Sequence, residues 1–118
     1  MGLTKEQILA ADDRPIEQVH VPEWGGCVFV RSMTGNERDR MDVTFAGSRE
    51  QPERAVGLRA SVVAACLCTE EGEPLEFTPE ELRELGSKKS AAVIERVFDV
   101  AQRLSGLSQE DVEELEKN

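Results

Sequence analysis

From Ala60 to Cys68 nine consecutive residues carry no charge, in a chain where 32% of residues are charged. This stretch constrains the fold more than any other. Val56, Val63 and Leu67 follow helical spacing, and Ala60, Ala64 and Ala65 fill the sides with small, strong helix formers. So wide an apolar band belongs to a helix with partners on several sides. It falls well short of the ~20 apolar residues that span a bilayer. Residues 52–69 therefore read as one helix, opened by Pro52 in its first turn, charged at Glu53, Arg54 and Arg59 and buried in its second half.

A chain of 118 residues fits one domain and can bury about two-thirds of its unfolded surface. With four Phe, one Trp and no Tyr, the core must be aliphatic. The 24 acidic and 14 basic side chains leave a net charge of −10, which repels phosphate backbones and argues against nucleic acid as a partner. Three cysteines (Cys27, Cys66, Cys68), an odd number with no signal peptide in view, point to free thiols in a reducing cytoplasm. A zinc site would have to gather all three with His20, the single histidine, and Cys-x-Cys on a helix suits zinc poorly. Neither a metal nor a cofactor is expected.

Thr4-Lys5-Glu6-Gln7 has the capping-box pattern and opens a short helix over 5–11, ended by Asp12-Asp13-Arg14-Pro15. Two runs rich in β-branched residues, about 16–21 and 27–33, flank Pro22-Glu23-Trp24-Gly25-Gly26. They predict an antiparallel hairpin with one face on the core and with Gly25-Gly26 supplying positive φ angles. Thr34-Gly35-Asn36-Glu37 caps a helix to about residue 45 that turns Met41 and Phe45 inward. Residues 46–51 read as an exposed loop, and 70–74 as an acidic turn. Thr78-Pro79-Glu80-Glu81 starts a helix that Gly86 is expected to end. A longer helix over about 88–105 carries Ile94, Val97, Phe98, Ala101 and Leu104 on one stripe, a lid for the central helix. Residues 107–118 read as a short acidic terminal helix. The expected fold class is α+β: a single domain over 1–118, mostly helical, with the N-terminal hairpin packed on four to five helices.

No catalytic constellation emerges, neither a Gly-x-Ser-x-Gly elbow nor a phosphate loop. Glu80, Glu81, Glu110 and Asp111 stand where carboxylates favour helix starts. The chain reads as a non-enzyme, an interaction domain. Its candidate partner-binding residues are Trp24 at the hairpin turn, Val28 and Val30 along the 28–33 edge, and Leu107, Val112 and Leu115 in the terminal helix, by strand-edge pairing or helix-in-groove docking.

Certain residues go further. Val21-Pro22-Glu23-Trp24-Gly25-Gly26, Val28, Val30-Arg31 and Met33-Thr34-Gly35-Asn36-Glu37-Arg38-Asp39 resemble the N-terminal pattern of the tail assembly chaperones of long-tailed, lambda-like bacteriophages. Leu85-Gly86, Ser90-Ala91-Ala92, Val97-Phe98-Asp99-Val100-Ala101, Leu104-Ser105-Gly106-Leu107-Ser108 and the acidic end from Glu110 are similar to the same family, as are residues 3–13. The resemblance covers nearly the whole chain, except the loop at 46–51 and the acidic turn, and rests on framework residues. It implies a non-enzymatic protein that binds the phage tape measure protein and keeps it soluble and extended while the tail tube polymerises. It also implies action in the host bacterial cytoplasm, self-association along the tape measure, and absence from the mature virion. Many such genes make a longer product by a −1 ribosomal frameshift, which engages the tail tube protein. Glu116-Lys117-Asn118 is compatible with GAA-AAA-AAC, which contains the slippery run A-AAA-AAC. The rival readings are a small structural head–tail or tail component retained in the virion, and an acidic regulatory adaptor with a basic partner.

Overall fold

The computed structural model describes residues 1–106; the terminal helix expected over 107–118 lies outside them. In chain order the elements are α1 (Lys5–Ala10), β1 (Ile16–Val21), β2 (Gly26–Arg31), α2 (Gly35–Thr44), α3 (Leu58–Cys66), β3 (Leu67–Cys68), α4 (Pro79–Lys88) and α5 (Ala91–Leu104). This is the expected α+β architecture, with a three-stranded antiparallel sheet in place of a bare hairpin. Among the described residues no helix is long and apolar enough to cross a membrane.

All three capping boxes form. Thr4, Thr34 and Thr78 each accept from the third helical amide, and Gln7, Glu37 and Glu81 each reach back to the threonine N–H, at 2.8 to 3.1 Å. Each box satisfies two amides that a helix start otherwise leaves unpaired.

β1 and β2 pair in register from Ile16↔Arg31 to Val21↔Gly26. The turn is one 3-10 turn, Pro22–Trp24, closed by the Gly25 amide on the Pro22 carbonyl at 3.0 Å. Only Gly25 takes a positive φ (86°); Gly26 is already strand. Side chains alternate as strand geometry requires, so Val19, Val21 and Val30 point into the core.

The central helix is shorter than the sequence pattern predicts. Residues 52–69 are not one helix. Pro52–Ala55 forms a 3-10 turn, Val56 is extended and 80% exposed, and Gly57 takes φ 89° at the start of α3. That left-handed angle is strained for any residue with a Cβ, so Gly57 is where the chain can change direction. Within α3, Leu58, Ala60, Val62, Val63 and Cys66 are buried. At its other end Leu67 leaves the helix, and Leu67 and Cys68 pair with Val30 and Phe29. A short apolar run satisfies either period, and here Leu67 and Cys68 pair with β2 instead of extending the helix.

The helix expected to stop at Gly86 runs on to Lys88. Gly86 is a crossing point rather than a cap: a Cβ built there would lie 3.4 Å from the Ala60 Cβ, so α4 and α3 approach closely through the missing side chain. The next helix begins at Ala91 rather than near 88, because Lys89 and Ser90 are extended. Its stripe is the lid the pattern predicts, with Val93, Ile94, Val97, Phe98 and Ala101 buried and Leu104 packed at the margin. Phe45 is buried and Met41 half-buried, as expected. The 46–51 loop is mostly exposed, but Ser48 is fully buried and its hydroxyl donates to the Phe45 carbonyl.

Polar contacts fix how these layers meet. Arg96 of α5 grips Glu23 at the hairpin turn with two hydrogen bonds, at 2.8 and 2.6 Å, and Arg103 reaches Glu17 of β1 at 2.7 Å. Ser105 accepts from the Met33 amide at 2.9 Å. On the outer face of the sheet the Arg31 guanidinium donates to the Arg14 carbonyl, the Gly72 carbonyl and the Asp12 carboxylate. It thus joins the lead-in to β1 to the acidic turn after β3. Arg59 pairs with Glu95 at 2.6 Å and lies over the Phe98 ring at 5.4 Å.

Val63 is 0% exposed within this core. Val63→Asp should therefore unfold the protein, at a cost of about 4–5 kcal/mol or more, because a lone carboxylate there has neither water nor a partner. Loss of the helical circular dichroism signal at 25 °C is the expected readout; a cooperatively folded variant would mean the core lies elsewhere.

The Arg96 hydrogen bonds hold the Glu23 carboxyl at about 2, against an ordinary 4.5. Such a group stabilises the fold above its unfolded value and loses that contribution as pH falls through the window from 4.5 to 2. Wild type should exceed Glu23→Gln in urea midpoint at neutral pH, and the two should converge as pH drops through this window.

Candidate functional site

α3 turns one side away from α5 and the sheet, and on that side it carries Ser61, Ala64 and Ala65. Small side chains there leave room along the helix. α2 contributes Met41 and Thr44, the loop after β3 contributes Pro74, Glu76 and Phe77, and α4 contributes Leu82. Together they form an open groove of about 490 Å³, with Glu37 and Arg40 at its α2 margin. Met41, Ala64, Ala65, Phe77 and Leu82 pack against the core from the outside, so the floor of the groove is the exposed side of the core itself.

Two features distinguish the 69–84 segment, which reaches the groove through Pro74, Glu76, Phe77 and Leu82. It holds seven glutamates against one arginine. Of the seven, only Glu84 forms an ion pair with another described residue, a 3.9 Å contact to Lys88. In addition Glu76 sits at φ 58°, the one non-glycine residue at positive φ among those described. Backbone strain of this kind costs about 1–3 kcal/mol and is concentrated at functional surfaces.

The residues singled out from the sequence lie elsewhere. Trp24 and Val28 are half-buried, folded against the core from the hairpin. Val30 is 0% exposed and belongs to the core, so its side chain is closed to any partner. The 28–33 edge proposed for strand pairing is taken at its centre: β2 is the middle strand, and β3 occupies Phe29 and Val30. The outward edge of the sheet is β1. Leu107, Val112 and Leu115 lie outside the described residues. In sequence Ala64 and Ala65 read as filling for a surrounded helix, so the groove has only a weak signal there, small residues on α3 beside apolar Phe77 and Leu82.

α1 is fully capped yet buries no residue, and Leu3, Ile8 and Leu9 are 57–79% exposed. Among the described residues no three Cys, His, Asp or Glu side chains gather as metal ligands. Cys66 and Cys68 are buried and Cys27 is exposed. Burial pushes the Cys66 thiol up to about 12, with Ser105 opposing only in part, and also raises Cys68. Thiols so protonated are inert as nucleophiles. A thiol-reactive chromogen should therefore modify Cys27 alone in the native protein and all three cysteines in guanidinium chloride. Rapid native modification of two or three would contradict this burial.

No family model and no curated protein matches the chain. A solved structure does: "Structure of bacteriophage HK97 tail assembly chaperone". The likeness covers 84% of this chain and 94% of that chain, with a TM-score of 0.62 and 21% sequence identity. The two chains share a fold.

Proposed function

We propose that this protein is a non-enzymatic tail assembly chaperone of a long-tailed phage or prophage, which binds the tape measure protein and keeps it soluble and extended while the tail tube polymerises. The observation that carries the reading is the fold shared with the HK97 chaperone over most of both chains. The framework pattern from Val21 to Asp39 and from Leu85 to Ser108 supports it. The two are independent in kind, one a likeness of backbone and the other of residues.

The physical features suit a holdase. A long helical rod stripped of its tube exposes apolar stripes along its length. Many copies of a small domain can cover those stripes, and a net charge of −10 on each keeps the assembly dispersed. The role needs binding surface and no reacting group. In this reading the protein self-associates along the tape measure, works in the host cytoplasm and is left behind when the virion matures. A longer frameshifted form carries the contact to the tail tube protein.

Co-expression with the tape measure protein encoded by the same phage tests this. The expected result is a soluble complex recovered by pull-down, from a tape measure protein that is insoluble when expressed alone. Failure to bind, with the protein found among the components of purified virions, would instead make it a structural part of the particle.

A further inference from the structure

We propose that the groove between α2, α3 and α4 is the docking site for an amphipathic helix with a basic flank, supplied by another protein. The proposal deepens the chaperone reading and rests on it for the choice of partner.

Shape comes first. The groove is open along its length, its floor is apolar, and Ala64 and Ala65 keep that floor low enough for a helix to lie close to α3. An apolar stripe at three- and four-residue spacing fits such a trough, with Met41, Phe77 and Leu82 as the contacts. Charge then selects the occupant. Glu76 lines the groove, and Glu73 and Glu80 lie within two residues of its lining residues Pro74 and Leu82; all three are exposed and none is in an ion pair with a described residue, while Arg40 is the one cation in the lining, on the opposite margin. A lysine- or arginine-rich flank along this rim would meet these carboxylates, raising the association rate and fixing the direction in which the helix lies.

The same charge disfavours occupants from this chain. Its exposed N-terminal apolar residues, Leu3, Ile8 and Leu9, are followed directly by Asp12 and Asp13. Residues 107–118 carry five acids and one lysine. Either segment, from the same or a second copy, would bring like charges to an acidic rim, which is unfavourable.

The test uses the full chain co-expressed with the tape measure protein. p-Benzoylphenylalanine at position 77, a conservative replacement for Phe77, is photolysed in the complex and the adducts are mapped by mass spectrometry. The expected adducts fall on tape measure segments with apolar residues at helical spacing and Lys or Arg alongside. Ala64→Phe, which fills the groove, and the exposed triple reversal Glu73→Lys, Glu76→Lys, Glu80→Lys should each weaken binding about tenfold or more. The reversal variant keeps the test decisive if Ala64→Phe disturbs folding. Ile8→Ser with Leu9→Ser should bind as wild type does. Adducts confined to a second copy or to residues 107–118, or wild-type affinity in folded groove variants, would overturn the groove while leaving the chaperone reading intact. Absence of any complex with the wild-type chain would remove both.

Discussion

α3 must be covered on more sides than any other element, and the rest of the molecule is arranged to do so. Five of its nine residues are buried. α5 lies along one side with its aliphatic stripe, α4 crosses another at Gly86 and Ala60, and the inner face of the sheet closes a third through Val30. Fully burying each large aliphatic side chain is worth about 1.5–3 kcal/mol, so the helix is held by its neighbours rather than by its own propensity. With so few aromatic residues, Phe98 and Phe45 are the bulkiest fillers of a core otherwise made of valine, leucine, isoleucine, alanine, Met33, Cys66 and Cys68. Such a core depends on close fit more than on any single large anchor.

Arginines set the register of these layers. Arg96 and Arg103 tie α5 to the turn and to the first strand of the sheet, while Arg31 ties the lead-in segment to the acidic turn across the outer face. Surface ion pairs contribute little to stability one at a time. A guanidinium that reaches carbonyls on two separate segments works differently, since it satisfies backbone groups with no partner in a helix or sheet. In a chain with excess acid, using arginines as ties between segments leaves the surplus glutamates at the surface.

That surplus is unevenly placed. It is concentrated in the segment after β3, beside the face of α3 that Ser61, Ala64 and Ala65 leave open. This apolar floor beside an acidic segment is the surface on which the docking proposed above rests. It stands on a fold shared with a solved phage tail assembly chaperone.

The starts of α1, α2 and α4 were legible from the residues alone, because a threonine and a Gln or Glu three positions on settle their hydrogen bonds locally. So were the hairpin, the α5 stripe and the α+β class, since each rests on a period that the sequence carries by itself. Where the central helix begins and ends was not legible, because Leu67 and Cys68 had to choose between another helical turn and the edge of β2, and only the folded sheet presents that edge. Gly86 likewise looks the same in sequence whether it ends a helix or lets two helices touch; Ala60, 26 positions earlier, decides it. The candidate groove belongs to this second class. Local hydrogen bonding and periodicity determined the pieces of this protein, whereas contacts between residues far apart in the chain decided which apolar side chains became core and which were left as a surface.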